Sequence, residues 1–424
     1  MDPQDDTDNT GKHGRHGGHG GHRGHGGDRA LSKDVAIVGA GPAGAWAAYS
    51  LARRGARVVL IDPSHPREKP CGGGVTGRAL ELIAASVAGH SLPTCHIHTA
   101  RFLDSARARC AAVRLEDRPA DRQPDLIVAS RAHFDAALVA AAIDAGAELR
   151  RSRAIDIRVQ RDGVRVETRE GALRAACVIG ADGANGLVRR RVAAAFRRDQ
   201  LSIATGFFAH GVTSRELVIE FVADPPGYIW SFPRPDHLAI GICAQADAGF
   251  TAATLRRRTA AWLDKTGLAR GARLEPYSWP IPSLNARDFD DLELAGPRWC
   301  LVGDAAGLVD PITREGIFFA LASGQWAAET LAAGLDPAQY ASRVREEAIV
   351  ELAHAAKLRS MFFAAPFLGL LIEALQQSAS LRAVMADLVA GRQSYATLEW
   401  RLLKTCEVGL GWRFVTSSLT GRGA

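Results

Sequence analysis

The sequence predicts an α/β protein, α+β when the whole chain is counted: a Rossmann-like parallel-stranded domain, an inserted antiparallel β-sheet domain and a helical C-terminal region. Three observations carry that prediction. Near the N-terminus, "DVAIVGAGPAGAWAAYSLARRGARVVLID" sets an apolar run, a glycine turn, an Ala/Leu-rich stretch and a second apolar run. Continuous apolar strands separated by a helix are the pattern of a parallel sheet covered on both faces. From about residue 200 to 290, "LVIEFV", "YIWSF" and "LAIGICA" are short β-prone runs. From Gly316 to the end the pattern is mainly helical.

Taken in order, residues 1–30 are low in complexity, with His13, His16, His19, His22 and His25 at every third position among glycines and arginines. Such a composition cannot bury a core and is expected to be disordered. It reads either as loose nickel or zinc capture or as a solvated tail; the second is preferred, and no metal site is predicted. Val35 to Val38 is the first strand, and a helix runs from about Pro42 to Arg54 until Gly55 stops it. "RVVLID" is the second strand and completes a Rossmann-like βαβ unit. "KPCGGGVTGRALELI" then places Cys71 and three glycines before a helix. Glycine is costly to order, so the run implies a close approach of backbone to something. "LIVASRAHFDAALVAAAIDAGAEL" is a strand and a helix, "AIDIRVQRDGVRVET" a hairpin turning at Asp162-Gly163, and "AACVIGADGANG" and "WCLVGDAAG" are strands running into turns. The expected organisation is a tail at 1–30, a discontinuous nucleotide-binding domain at 31–100, 125–195 and 295–335, a β-rich substrate domain at 101–124 and 196–294, and a helical region at 336–424.

Composition narrows the class. The 424 residues are enough for two or three domains, with 47% hydrophobic and 23% charged residues. The net charge of +6 comes mostly from scattered arginines, so no nucleic-acid partner is called for; contact with anionic lipid headgroups is compatible with it. Seven cysteines at wide spacing, without a CxxC, fit neither a disulfide framework nor a zinc knuckle. Reduced thiols and the lack of a charged-then-apolar N-terminal pattern give a cytoplasmic expectation. "MFFAAPFLGLLIEAL" (Met361 to Leu375) is too short to span a bilayer. It reads as a packed helix, with peripheral contact at the cytoplasmic membrane as the second reading. The oligomeric state is left open.

Three motifs carry chemistry. In Gly39-x-Gly41-x-x-Gly44, the first glycine permits the tight turn, the second lets a pyrophosphate approach, and the third lets helix pack on strand. Pro42 and Ala43 open the helix, whose N-terminus favours phosphate charge. Asp62, 18 residues after Gly44, ends the second strand and suits a ribose hydroxyl pair. The second and third motifs, Asp182-Gly183 and Gly303-Asp304, each follow a buried strand. Beyond the third, Gly316 and Ile317 start a helix that aims free N–H groups at whatever lies there.

The order GxGxxG, acidic residue, Arg131, Asp182-Gly183, Gly303-Asp304 resembles the FAD-dependent oxidoreductases of the para-hydroxybenzoate hydroxylase fold. "KPCGGG", "PPGYIWSFP" (Pro225 to Pro233), "DPITREGIFFAL" and "AGRQSYATLEWRLL" are similar to the geranylgeranyl reductase family within it, over roughly residues 33 to 405. The resemblance implies that Asp62 holds the FAD ribose and that Arg131 approaches the cofactor from a helix start. It places Asp182-Gly183 near the pyrophosphate, Asp304 on the ribitol side, and Gly316 and Ile317 where N–H groups stabilise a reduced flavin. It also puts Cys71, Gly72 and Gly73 beside the isoalloxazine ring. Cys71 is then a proton donor or polar contact near flavin N5, or a small residue filling space. Tyr228, Trp230 and Phe232 alternate at period two and share one face of a strand. They read as an aromatic core stripe or as the wall of a substrate tunnel; the flavin motifs favour the wall, with Tyr228 and Trp230 as catalytic candidates. Many relatives have glycine where Arg314 stands; its side chain reaches the cofactor or a substrate phosphate, or points into solvent. His210 and His237 read as surface or satisfied residues.

The expected activity is saturation of C=C bonds in an isoprenoid or prenyl lipid by hydride from reduced flavin N5 plus a proton. NADPH or NADH is the expected electron donor, although one GxGxxG leaves no separate nicotinamide domain. The rival is a flavin monooxygenase or halogenase acting on a small aromatic or apolar substrate; the W-x-W-x-I-P stretch of the tryptophan-type halogenases is missing.

Overall fold

The computed structural model describes residues 33–90, 92–115 and 124–405; the histidine-rich stretch lies outside them. Strand Lys33–Val38 pairs in parallel with Val58–Ile61 on one side and Gly171–Gly180 on the other. Trp299–Leu301 and Glu148–Arg150 extend this parallel core at its two sides. Its residues are buried in one core with helix Pro42–Ala52, which packs against it, and helix Ile317–Ala332, which packs on that helix, in keeping with the continuous apolar runs. Helix Pro42–Ala52 begins with proline at its first turn, and Gly55 at φ +83° turns the chain away beyond its end. The expected hairpin is present as Ala154–Gln160 and Gly163–Thr168, paired onto Gly171–Gly180.

A second sheet of seven strands runs in the order Arg273–Pro282, Leu201–His210, His237–Gln245, Pro226–Pro233, Leu217–Ala223, Thr99–Asp104, Arg109–Arg114. Its pairings are antiparallel except that Leu217–Ala223 meets Thr99–Asp104 in parallel. One face is covered by helix Ala252–Thr266, where Trp262, Leu255 and Leu263 meet Ile229, Ile240 and Ile242. That helix was not legible among the surrounding β-prone runs, although Thr251 caps its first turn and Gly267 at φ +70° ends it. The other face turns Tyr228 and Trp230 toward Phe102, Phe362 and the C-terminal helices.

Two segments take placements that the sequence reading did not specify. The strand in "LIVAS", Leu126–Ala129, does not join the parallel sheet; it pairs antiparallel with Gly74–Thr76 and Thr94–His96 in a separate three-stranded sheet. The reason is the glycine loop, whose Gly73 carbonyl accepts the Ala129 N–H at 2.9 Å. The apolar run from Met361 is divided between Val350–Phe362 and Ala365–Gln377, because Pro366 starts the second helix; the bend there is 94°. Among the described residues no single helix is long and apolar enough to cross a membrane.

The helix–strand contact behind the nucleotide turn has no slack. A Cβ on Gly44 would stand 1.9 Å from the Gly39 carbonyl oxygen. Gly44→Ala is therefore expected to cost at least about 2 kcal/mol of stability, read as a lower urea midpoint; an unchanged midpoint would refute the fit.

Candidate active site

The C-terminal ends of the parallel strands bring the three motifs to one edge, where ligands of open α/β sheets bind. A cavity of about 580 Å³ lies there, lined by Gly39, Gly41, Pro42, Ala43, Asp62, Arg131, Asp182, Gly183 and Asp304. This volume is within the roughly 300–1,000 Å³ usual for cofactor clefts. Gly39, at φ +102°, has no room for a side chain, since a Cβ would meet the Ala181 carbonyl oxygen at 2.3 Å. Gly41 is different: the nearest atom to its missing Cβ is His65 Nε2 at 3.8 Å, and nothing lies within 4 Å at Gly183. Both therefore leave open space along the cavity wall, as a bound pyrophosphate requires. No side chain caps helix Pro42–Ala52 or helix Ile317–Ala332, so their first N–H groups are available to an anion.

Asp62 is 6% exposed, and its carboxylate accepts from Ala40 N (3.0 Å), Ser64 N (2.8 Å), His65 N (2.8 Å) and His65 Nδ1 (2.9 Å). Burial alone would raise its pKa; His65 and these N–H groups outweigh burial and hold it well below the ordinary range. His65 Nε2 lies 3.4 Å from Asp135 Oδ2. Burial would lower the His65 pKa, but the two carboxylates reverse that and raise it. Asp135 in turn holds Arg131 from one helical turn away, Nε at 2.9 Å and Nη2 at 2.8 Å. Charges therefore alternate from the glycine turn to Arg131, a chain in which the sequence exposed only the two ends.

Asp182 serves the short helix Leu187–Val192: one carboxylate oxygen accepts Val188 N–H at 3.0 Å, and the other is buried without a hydrogen bond. Desolvation raises its pKa to about 6. Asp304 forms an ion pair with Lys69 at 3.0 Å, and the cations of Lys69 and Arg67 lie over the Trp279 ring.

A second cavity of about 210 Å³ shares Pro42, Lys69, Arg131, Trp279, Asp304 and Ala320 with the first. Cys71, Gly72, Gly73, Tyr228, Trp230, Phe232, Gly316 and Ile317 line it. The glycine run has its own internal reason. Cβ atoms on Gly72 and Gly74 would lie 2.7 and 3.1 Å from the Phe232 ring, and one on Gly73, at φ +85°, would lie 2.3 Å from the Ala129 carbonyl oxygen. The loop thus sits flat between the aromatic stripe and the three-stranded sheet. Cys71 Sγ accepts Gly73 N–H at 3.3 Å. The Tyr228 hydroxyl donates to the Thr313 carbonyl at 2.8 Å, and burial raises its pKa well above 10. Its proton is committed to holding the loop before Gly316.

Two residues that the sequence did not expose organise this junction. Arg234 is fully buried beyond the aromatic strand; it pairs with Glu68 and donates Nη2 to the Cys71 carbonyl at 2.7 Å. Glu68 also accepts from Ser130 Oγ (2.5 Å), Arg131 N (3.2 Å) and Ala132 N (3.2 Å), so it caps the helix that carries Arg131. His237 and His210 pair with Asp236 and Glu275.

The FAD binding domain model matches residues 32–339. Geranylgeranyl diphosphate reductase of Rhodobacter capsulatus is 31% identical over 316 residues, covering 71% of this chain and 75% of that one. The chain belongs to the geranylgeranyl reductase family of FAD-dependent oxidoreductases. Menaquinone reductase of Mycolicibacterium smegmatis is 30% identical over 327 residues, covering 71% and 76% of the two chains. Among solved structures, a geranylgeranyl bacteriochlorophyll reductase-like protein from Thermoplasma acidophilum superposes with a TM-score of 0.72 at 22% identity, over 88% and 99% of the chains. A flavin-dependent brominase shares the fold at TM-score 0.67 and 20% identity, over 88% and 98%. This family member is an FAD-dependent oxidoreductase, and the open cradle at Gly41 and Gly183 fits the cofactor.

Two outcomes test this electrostatic account. Arg234→Met leaves Glu68 as a carboxylate without its cation and is expected to cost about 3–5 kcal/mol, measured by urea denaturation; a loss under about 1 kcal/mol would refute the role. Asp182 binds its proton more tightly folded than unfolded. Its favourable contribution is present below about pH 4 and is lost as pH rises through about 6. Asp182→Asn should therefore gain about 2–3 kcal/mol on the wild type between about pH 4 and pH 7. A difference that does not vary with pH would overturn the assignment.

Proposed function

We propose that this protein saturates C=C bonds of an isoprenoid, geranylgeranyl-type chain. The observation that carries the reading is the apolar 210 Å³ cavity between the glycine loop and the aromatic stripe, continuous with the dinucleotide cleft. The FAD would lie with its pyrophosphate over Gly41 and the N-terminus of helix Pro42–Ala52. Asp62 would face its ribose side, Asp182 and Gly183 its pyrophosphate, and Gly303 and Asp304 its ribitol. Its ring would lie between Cys71-Gly72-Gly73 and the N–H groups after Gly316. When bound and reduced, FAD supplies hydride from N5; NADPH or NADH is the proposed source of electrons.

An isolated trisubstituted alkene accepts hydride poorly, so the protein must bring a proton and tolerate positive charge at the more substituted carbon. Cys71 would bring the proton; it lines the cavity, and its sulfur accepts Gly73 N–H. The ring of Trp230, buried on the cavity wall, would face the positive charge. Tyr228 orders the Thr313 loop, and Phe232 closes the glycine loop against water, which would trap a cation. Leu388 lines both this cavity and a further apolar one of about 50 Å³ between the C-terminal helices.

The test is anaerobic incubation of the FAD-loaded, chemically reduced protein with geranylgeranyl lipids. Products heavier by one H₂ per double bond are expected. Recovery of unsaturated substrate only, or incorporation of isotopically labelled oxygen in air, would overturn the reading in favour of the monooxygenase alternative. Cys71→Ala should retain FAD and lose about 10²-fold or more in kcat; undiminished turnover would leave the thiol a space-filler.

A further inference from the structure

Residues Ile312 to Ile317 line the apolar cavity and lead into helix Ile317–Ala332, whose first turn no side chain caps. Up to Gly316 the segment is neither helix nor strand. Arg314 within it sits at φ +62°, in the left-handed region that packing must enforce on a non-glycine residue. An irregular segment keeps such a shape only while its backbone groups are partnered. Asp310 partners them. Its Oδ1 accepts the Ile312 N–H at 2.7 Å and the Thr313 N–H at 2.9 Å. Its own N–H donates to the Glu315 carbonyl at 2.9 Å, and its carbonyl accepts the Arg314 N–H at 3.0 Å. The approach to Gly316 is thus folded around one residue.

Asp310 is itself only 4% exposed, and its second oxygen, Oδ2, accepts the Tyr395 hydroxyl at 2.8 Å. These three donors to the carboxylate are neutral, and losing any of them would leave buried charge short of a partner. Tyr395 is also buried. Burial, and then the Asp310 charge, raise its pKa well above 10, so the phenol keeps the proton that it donates. It stands at the start of helix Tyr395–Thr405, 85 positions from Asp310 in sequence. Glu351 anchors that start by accepting the Tyr395 N–H at 2.6 Å and the Ser394 hydroxyl at 3.1 Å. Tyr228, from the seven-stranded sheet, holds the Thr313 carbonyl of the same segment at 2.8 Å. Two phenols, one from that sheet and one from the C-terminal helices, therefore fix the approach to Gly316. Tyr395 itself lines neither cavity, so whatever it does there it does through Asp310.

We infer that Tyr395 is a positioning residue for the flavin: through Asp310 it sets where the N–H groups after Gly316 point, and so how far the site favours reduced over oxidised FAD. This rests on the proposed placement of the ring beside those N–H groups and carries it into the C-terminal helical region. Those N–H groups and the positive end of the helix dipole favour negative charge on the ring. A displaced segment would lose part of that stabilisation and lower the flavin potential.

The experiment measures the flavin midpoint potential of the FAD-loaded whole chain by dye-coupled anaerobic reduction, with urea denaturation of each variant alongside. Tyr395→Phe removes only the hydroxyl. It is expected to weaken binding of reduced relative to oxidised FAD about tenfold, a fall of about 30 mV for a two-electron couple. Asp310→Ala should lower the potential at least as far. Adding Tyr395→Phe to Asp310→Ala should lower it no further, because groups that act through one another are not additive. Glu351→Ala frees the start of the Tyr395 helix without touching the hydroxyl; it should shift the potential in the same direction, and it decides the question if Tyr395→Phe fails to hold FAD. A lower urea midpoint with an unchanged potential would make the hydroxyl a matter of stability alone and overturn the positioning role, as would full additivity of the two substitutions. If the potential falls as expected while geranylgeranyl lipids are not reduced, the positioning role stands and the prenyl-reductase reading fails. If those lipids are reduced and the potential is the same with and without the hydroxyl, the reading stands and the positioning role fails.

Discussion

The buried guanidinium of Arg234 is the constraint on which the site depends. It has no access to water, so its charge is tolerable only while Glu68 and the Cys71 carbonyl stay in place. Those two partners belong to the loop between the second parallel strand and the glycine run, whereas Arg234 follows the aromatic strand of the seven-stranded sheet. A single side chain therefore ties the substrate-side sheet to the nucleotide-side fold. Glu68 extends the tie by capping the helix of Arg131, which lines both cavities. Moving any one of these groups would strand a charge away from solvent.

The glycines of the Cys71 loop take their meaning from the same contact. Gly73 bends at positive φ against Ala129, and Gly72 and Gly74 receive the Phe232 ring. The loop is flattened by protein packing, so its shape is set before a cofactor arrives. Pre-organisation of this kind lowers the entropic cost of holding a flat ring against backbone. Tyr228 contributes in the same sense from the opposite wall, by spending its hydroxyl on the Thr313 carbonyl.

The electrostatics divide the cleft into two characters. Toward the nucleotide, charges alternate through Asp62, His65, Asp135 and Arg131, and each is stabilised by its neighbours. Toward the apolar cavity, carboxylates are absorbed by Arg78, Tyr395 and Lys69, while Arg314 is left with a serine.

What the sequence determined by itself was whatever depends on neighbours along the chain. The GxGxxG turn, the acid closing the second strand, the two later strand-turn motifs and the period-two aromatic stripe all declare themselves through spacing. Burial runs and β-prone segments were enough to place the parallel core and the β-rich insertion, although helix Ala252–Thr266 was lost among strands. Tertiary structure alone decided the rest. Glu68 and Arg234 lie 166 positions apart, and no local pattern marks a lone arginine after "SFP" as buried. His65 reads as an ordinary loop histidine until Asp135 folds onto it. Leu126–Ala129 had the composition of a parallel strand, and only the hydrogen bond from Ala129 to Gly73 assigned it elsewhere. The physical reason is common to all of these: propensity and periodicity report how a segment satisfies its own backbone and apolar face. The partner of a buried charge or an exposed strand edge is chosen by distance in space.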